Sequence, residues 1–223
     1  TEQLIRLPSQ FVYVPRAELP VPTGTPARQR GAILFGVFNQ YRKWTDEMLC
    51  VWREILERVP QSKLLLKSQV FFAAAMRRAA EERLARLGFD LDRVILEPAT
   101  TDYMERYLDV DIALDTYPWP GGGTTCDALY MGVPVVTMYG SRRSTRFSYA
   151  MLHLVGAEEL AVTSASAYIS CAVSLAEDLD RLDGIHCTLR RKMETSPLMD
   201  QADYMRALEE AYIMALRNVG QGL

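Results

Sequence analysis

Short apolar runs alternate with helix-like patterns along most of the chain. Between the runs, apolar residues recur at three- and four-residue spacing, as at Met48, Trp52 and Ile55. Strands that alternate with helices indicate βαβ units, so the pattern predicts an α/β fold with a doubly wound parallel sheet. The five predicted strands are 32–38, 63–68, 93–99, 111–118 and 134–140.

The segments between and after these strands predict the helices. Thr45 followed by two acidic residues is typical of a helix start, and Gly88 is typical of a helix end. After the last strand the chain turns mostly helical and ends in a helical tail at about 196–219. The predicted helices are 45–59, 70–87, 101–108, 124–131, 144–155, 165–179, 182–195 and 202–219.

The first thirty residues differ from the rest because they hold five of the eleven prolines. Proline interrupts helices and central strands, so we predict that residues 1–30 form a linker or surface arm. The chain starts at Thr1 rather than Met, and we expect a missing region upstream of the arm. Residues 31–223 are then predicted to form one Rossmann-like domain.

Composition excludes several classes of function. The 223 residues carry 25 Lys and Arg against 28 Asp and Glu, a net charge of −3 that gives no general reason to bind nucleic acid or an anionic membrane. The apolar runs are too short to span a membrane and no leader opens the chain, so we expect a cytoplasmic protein. The four cysteines are scattered without a CxxC pair, which argues against zinc or redox chemistry.

The stretch YPWPGGGTTCDALYMGVPVV, residues 117–136, places a glycine run between a predicted strand and helix. Ligands of doubly wound sheets bind beyond the carboxyl ends of the strands, where this glycine run lies. Glycines such as Gly122 and Gly123 let the backbone approach a ligand closely. Thr124 and Thr125 lie where hydroxyls and free helix-start N–H groups converge. The motif predicts a phosphate or diphosphate site; the alternative is a tight turn with Thr124 as helix N-cap.

The motif DIALDTYPWPGGGTTCDALYMGVPVVTM, with FNQYRK upstream and SPLMDQADYMRALEEAY downstream, resembles the O-GlcNAc transferase and SPINDLY family of GT-B glycosyltransferases. The resemblance covers about 32–212 and concerns the carboxyl-terminal half, which binds the nucleotide-sugar donor. It implies a bacterial-type, inverting glycosyltransferase with a UDP-linked donor and a protein Ser, Thr or Asn acceptor. In that family a catalytic amino-terminal half and tetratricopeptide repeats precede this half.

The resemblance also implies roles for residues after the first strand. By position, Gln40 and Lys43 match a pair that reaches the donor's phosphates, and Lys43 is expected to stabilise the leaving diphosphate as the catalytic residue. Arg42 is the rival cation, and a solvated basic turn is the alternative.

Around the glycine run, Thr124 and Thr125 match a pair that holds the diphosphate. Asp127 matches an aspartate that accepts from a ribose hydroxyl, or it only complements the helix dipole. Where the family commonly has Asn-Gly-His, this chain has glycines at 121–123. Either a glycine N–H replaces the imidazole, or the chain belongs to a subgroup that uses another donor, or the site has lost its function.

Four further residues are weaker candidates. The resemblance places Ala99 and Arg106 approximately at the segment that contacts the uracil, although Arg106 could be a surface residue of its helix. Lys67 and Arg146 follow strand ends and receive no assigned role. Both could be ordinary surface charges.

No metal or cofactor is expected, because GT-B enzymes stabilise the leaving diphosphate with side chains and helix dipoles. The DVD stretch at 109–111 precedes its strand and is predicted to be a solvated strand entry rather than a metal site. Of the two histidines, His153 is expected in the core or an interface and His186 in a loop, so neither is a predicted base.

Since the family's acceptor chemistry belongs to the other half, the chain alone is predicted to bind UDP and to transfer nothing. One competing hypothesis is a non-catalytic nucleotide-binding or scaffold module. A second is a GT-B-shaped sugar-nucleotide epimerase, against which the lack of an acid/base pair argues.

Overall fold

A computed structural model describes residues 4–15 and 19–220 and contains one six-stranded, fully parallel sheet with flanking helices. The strands pair in the order β3-β2-β1-β4-β5-β6, which is the order of a doubly wound Rossmann sheet. The predicted α/β fold is therefore confirmed. The strands are β1 (Leu34–Val37), β2 (Lys63–Lys67), β3 (Val94–Glu97), β4 (Ile112–Leu114), β5 (Val135–Met138) and β6 (Ala161–Val162).

The prediction of five strands is wrong by one. Strand β6 pairs with β5 through Thr137 with Ala161 and Met138 with Val162, and it forms an edge of the sheet. Two residues carry no alternation of apolar and polar positions, so this strand has no signal in the sequence.

Eight α-helices occur in the described part of the chain. No helix there has both the length and the apolar character needed to cross a membrane. The helices are α1 (Ala27–Arg30), α2 (Asp46–Arg58), α3 (Ala74–Arg86), α4 (Gly123–Tyr130), α5 (Phe147–Leu154), α6 (Ala165–Glu177), α7 (Leu179–Glu194) and α8 (Gln201–Gly220).

Two helix predictions need correction. The helix predicted at 70–87 starts at Ala74, because a 3₁₀ turn at Gln69–Phe72 first places Phe71 in the core. The helix predicted at 101–108 is only a 3₁₀ turn at Glu105–Asp109, in which Tyr107 is buried. In both cases packing of one aromatic side chain outweighs helix propensity.

The core lies between the sheet and its helices. Thr45 caps α2 by accepting from the N–H of Met48 at 3.2 Å, and the helix buries Trp52 completely. Helix α2 packs against α6, which covers β4 and β5, while α4 packs against α5 and α7. All four residues of β1 and of β5 are buried, as continuous apolar strands of a covered parallel sheet should be. The strands that end at the carboxyl edge of the sheet are thus held by a well-packed core.

The described part of the N-terminal segment packs against the domain. The N–H of Tyr13 donates to the carbonyl oxygen of Leu198 at 2.7 Å. The hydroxyl of Thr25 and the N–H of Ala27 each donate to Asp111 at 2.7 Å. Residues 1–3 and 16–18 of the predicted arm, and 221–223 at the other end, lie outside the described residues.

The prediction of a solvated strand entry is wrong at Asp111. Instead of being solvated, Asp111 is completely buried, and it also accepts from Arg30 and from the N–H of Leu34. His186 is not in a loop: it lies in α7, buried, with Nε2 at 2.8 Å from the carbonyl oxygen of Asp111. A buried carboxylate is stable only when donors surround it, and sequence position alone does not show those donors.

Candidate functional site

Asp115, immediately after β4, shapes the loop that follows. Its Oδ1 accepts from the side-chain amide of Asn39 (2.8 Å) and from the N–H groups of Thr116 (2.9 Å) and Gly121 (2.7 Å). Its Oδ2 accepts from the hydroxyl of Thr137 on β5 at 2.7 Å. The carboxylate is buried and therefore fixes both ends of the 115–121 loop. Sequence reasoning missed this residue, although an acid directly after an apolar strand was a visible signal.

The three glycines have different roles. A Cβ at Gly121 would lie 2.2 Å from Oγ1 of Thr125 and 2.8 Å from Oγ1 of Thr124, so only glycine fits there. A Cβ at Gly122 or Gly123 would meet nothing within 4 Å. The first glycine is required by packing, and the next two border open space that a ligand can enter.

Helix α4 begins at Gly123 with Gly122 as its N-cap, and no side chain caps it. The alternative that Thr124 is the N-cap is therefore wrong: its hydroxyl donates to Oδ1 of Asn39 at 3.0 Å. Among the described residues, none accepts from the N–H groups of Gly122, Gly123 or Thr124. Open N–H groups at the positive end of a helix are an anion-binding arrangement.

Lys43 brings a positive charge to this turn. It ends the 3₁₀ turn Tyr41–Lys43 after β1, and its Nζ donates to the carbonyl oxygen of Pro120 at 2.8 Å. Burial lowers the pKa of Lys43; the charge of Asp115 opposes this effect and that of Arg42 adds to it. No described carboxylate lies within 4.0 Å of its ammonium group. Lys43 is thus a partly buried cation without an ion-pair partner in that part of the chain.

A cavity of about 580 Å³ opens beside Lys43 and the glycine turn. Its lining includes no carboxylate and no imidazole. Ser144 and Phe147 enter it from the segment after β5, and Trp119 from the loop itself; sequence reasoning missed all three. The lining residues are Arg42, Lys43, Trp119, Pro120, Gly121, Gly122, Ser144 and Phe147.

The threonine pair lies at the base of the turn. Thr125 is buried, and its hydroxyl lies 2.8 Å from that of Ser148 on α5. Thr124 is partly exposed and bonded to Asn39 as described above. In the structure both hydroxyls contact protein groups, so the backbone N–H groups are the open donors of this motif.

Asp127 lies on α4 away from the cavity lining and is mostly buried. Its carboxylate accepts from the hydroxyl of Tyr13 at 2.8 Å and from that of Tyr103 at 2.9 Å. Burial, together with the Asp127 charge and its hydrogen bond, raises the pKa of Tyr13. Asp127 therefore joins the N-terminal segment to α4 and to the segment after β3.

The remaining predicted residues lie outside the cavity lining. Arg106 pairs with Glu97 (2.8 Å) and Asp109 (2.6 Å), and the buried Lys67 lies 3.4 Å from Glu97. Burial would raise the pKa of Glu97, but the hydrogen bond and charge of Arg106, helped by Lys67, lower it. Ala99, two residues after β3, is partly buried.

Gln40 is exposed at the start of the 3₁₀ turn that carries Lys43. Arg146 lies over the rings of Tyr139 and Tyr149, at 5.4 Å and 5.1 Å from their centroids. His153 is not in the core, because 63% of its side chain is exposed. Within 4–15 and 19–220, no cluster of three His, Cys, Asp or Glu residues could hold a metal ion.

Comparison with known sequences covers nearly the whole chain. The profile of glycosyl transferase family 41 matches residues 9–208. A tomato (Solanum lycopersicum) protein named probable UDP-N-acetylglucosamine–peptide N-acetylglucosaminyltransferase SPINDLY is 39% identical over 215 residues. That match covers 95% of this chain and 23% of the relative, so the chain spans about a quarter of the relative's length.

Solved structures agree with this result. A Thermobaculum terrenum O-GlcNAc transferase mutant matches with a TM-score of 0.85 and 32% identity, over 99% of this chain and 42% of that one. The Anabaena protein HepE, in complex with UDP and glucose, matches with a TM-score of 0.60 and 15% identity, over 83% of this chain and 50% of that one. The second likeness concerns the fold alone. The six-stranded sheet with its helices is one half of a GT-B fold.

Proposed function

The chain belongs to glycosyl transferase family 41, and from that premise we propose that it is the donor-binding region of a glycosyltransferase that uses a UDP-linked sugar. One observation carries the proposal: Lys43, a cation without a described carboxylate partner, lies beside the turn with three open N–H groups. The tomato relative's name specifies UDP-N-acetylglucosamine, which is the donor we favour.

In this proposal the donor's diphosphate lies at the N-terminus of α4. The N–H groups of Gly122, Gly123 and Thr124 donate to phosphate oxygens, and the helix dipole adds to their attraction. The Lys43 ammonium group neutralises the charge that grows on the diphosphate as the sugar leaves. Glycine N–H groups then make the diphosphate contact that a histidine commonly makes in the family. Side-chain and backbone donors supply this stabilisation without a metal ion.

In this proposal a residue outside the described cavity activates the acceptor. The cavity lining has no carboxylate or imidazole, and its one lysine, Lys43, is assigned to the diphosphate, so we place the general base outside this cavity. We assign the base to an amino-terminal half of the full protein, preceded by tetratricopeptide repeats, and the acceptor to a protein Ser, Thr or Asn side chain. Direct attack by that acceptor inverts the sugar's configuration.

The same lack of a base favours one second candidate, a nucleotide-binding module without transfer activity. The two functions differ in the full-length protein. Incubation with UDP-N-acetylglucosamine and candidate acceptor proteins gives a sugar-bearing product by mass spectrometry under the first proposal, and bound, intact nucleotide sugar without product under the second. Transfer by the isolated 223-residue chain would contradict our assignment of the base.

Calorimetric titration of the 223-residue chain with UDP tests the site itself. Lys43→Ala should weaken UDP binding about tenfold or more, since a hydrogen bond to a charged group contributes roughly 1.5–3 kcal/mol. Arg42→Ala should weaken it less, because Arg42 is exposed at the cavity rim. Lys63→Ala, an exposed lysine at the opposite edge of the sheet, is the control and should bind normally. No UDP binding by the wild-type chain would refute the proposal. A larger loss of affinity in Arg42→Ala than in Lys43→Ala would show that Arg42 is the cation that contacts the phosphate.

A further inference from the structure

Trp119 is an exposed aromatic side chain on a fixed loop. It is 53% exposed, whereas the other two tryptophans, Trp44 and Trp52, are 3% and 0% exposed. The hydroxyl of Thr116 donates to the carbonyl oxygen of Trp119 at 2.6 Å, and Asn39 donates to that hydroxyl at 2.6 Å. The backbone is therefore held while the indole ring remains open to solvent. Large aromatic side chains exposed at a cavity are typical of ligand contacts.

The cavity lining combines two kinds of groups. Arg42, Lys43 and the backbone of Gly122 attract an anion, while Trp119 and Phe147 are large apolar side chains. Asp127, the predicted ribose contact, does not line this cavity. A diphosphate held by Lys43 and Gly122 shares this cavity with Trp119, so a group attached to the diphosphate can reach the indole ring.

We propose that the indole of Trp119 packs against the sugar ring of the donor and so distinguishes a nucleotide sugar from the free nucleotide. This inference rests on the proposed function, because it takes the diphosphate position from it. A hexopyranose presents C–H groups on its ring faces and hydroxyls at its rim, so a flat aromatic ring can cover one face while the hydroxyls stay hydrated. Ser144 lines the same cavity and offers a hydroxyl to that rim.

Intrinsic fluorescence tests the contact directly, because Trp119 is the one exposed tryptophan of the three. Acrylamide quenching of the 223-residue chain should be nearly unchanged by saturating UDP. Saturating UDP-glucose or UDP-N-acetylglucosamine should reduce it at least twofold. Equal protection by UDP alone would show that the indole ring contacts the nucleotide. Binding of the UDP-sugar without protection would show that the ring does not contact the ligand. Either result overturns the inference.

Affinity measurements give a second, independent test. Trp119→Ala should weaken UDP-glucose binding about threefold to tenfold, the range of a single aromatic contact, and leave UDP binding within about twofold. Trp119→Phe should recover most of the difference because it keeps a flat ring. Tyr212→Ala, which removes an exposed aromatic ring from α8, should bind both ligands normally. Equal loss of UDP and UDP-glucose in Trp119→Ala would mean that the residue only supports the loop.

The two proposals fail in different ways. If the wild-type chain binds no UDP, the proposed function fails and the sugar contact fails with it. If UDP binds and Lys43→Ala weakens it, the proposed function stands. In that case unchanged UDP-glucose binding by Trp119→Ala refutes the sugar contact alone.

Discussion

Strand β4 has a buried aspartate at each end, and the two carboxylates are used differently. At the amino end, Asp111 accepts from Thr25, Ala27 and Arg30 of the N-terminal segment and from the N–H of Leu34. All four donors are thus satisfied by a protein acceptor. This end of the strand therefore joins two segments of the chain and offers no donor to a ligand.

At the carboxyl end, Asp115 also collects four donors, but it consumes only the first N–H of the glycine turn. The N–H groups of Gly122, Gly123 and Thr124 remain open beside Lys43. A buried carboxylate can thus hold a turn in place while the backbone donors that follow it stay available. Such preorganised donors do not have to reorient when charge develops on a ligand.

The largest expected effect comes from removing either carboxylate. Asp111→Ala and Asp115→Ala each leave several buried donors without an acceptor, which should lower the free energy of unfolding by about 3 kcal/mol or more. Urea denaturation measures that loss. Only Asp115→Ala should also weaken UDP binding in the folded protein, because only it releases the glycine turn.

Asp115→Asn keeps one oxygen for Gly121 and serves where Asp115→Ala does not fold. It should bind UDP more tightly than Asp115→Ala and less tightly than the wild type. If Asp111→Ala weakened UDP binding as much as Asp115→Ala, the two ends of β4 would not act independently, and the special role of Asp115 would be refuted.

The next effect separates packing from ligand approach within the glycine run. Gly121→Ala forces a methyl group against Thr125 and Thr124, and it should cost about 1–3 kcal/mol of stability. Gly122→Ala adds a methyl group in open space, so the free energy of unfolding should stay within about 0.5 kcal/mol. Thermal unfolding and UDP titration measure both variants. Weaker UDP binding by the stable Gly122→Ala protein would support a contact between Gly122 and the ligand. Normal binding would show that Gly122 does not contact it.

A pH effect should distinguish Lys43 from an ordinary lysine. Lysine is charged below its pKa, and burial lowers the pKa of Lys43, so UDP affinity should fall as pH rises through that lowered value. A bound diphosphate favours the charged form and raises the pKa again, so binding at alkaline pH should take up a proton. Calorimetry in two buffers of different ionisation enthalpy measures this uptake. Lys43→Arg stays charged and should show none; equal uptake by both proteins would contradict the role of Lys43.

The smallest effect belongs to the other end of β4. Burial lowers the pKa of His186, while its hydrogen bond to Asp111 opposes that effect. The unfolded chain therefore takes up a proton near pH 6.5 that the folded chain does not, and stability should fall by about 1 kcal/mol as pH drops from 7.5 to 5.5. Urea midpoints at the two pH values measure it. His186→Gln should lose this dependence, whereas His153→Gln, at the exposed histidine, should keep it.

The sequence predicted the parallel sheet because its strands are continuous apolar runs, long enough to stand out between helical patterns. The same patterns failed where one contact decides the structure. Strand β6 is two residues long, and the turn at Glu105–Asp109 follows the burial of Tyr107. Neither feature leaves a period in the sequence.

The candidate site shows the same division. Lys43 and the glycine run were predicted to bind the same diphosphate, Lys43 from the family resemblance and the glycine run from its place between a strand and a helix. Asp115, Trp119 and Phe147 were missed, since their importance depends on partners far away in the chain or on exposure at a cavity. The roles predicted for Gln40, Ala99, Thr125 and the other candidates remain predictions.

The donors around Asp111 also decide how this protein can be shortened. A recombinant fragment trimmed to start at Leu34 would look complete in a diagram of the sheet, yet it would lack three of the four groups that solvate the carboxylate. Its Asp111 would be left as a poorly compensated charge in the interior, which should lower the free energy of unfolding. Residues 25–30 should therefore accompany the sheet in any transplant, fusion or crystallisation fragment.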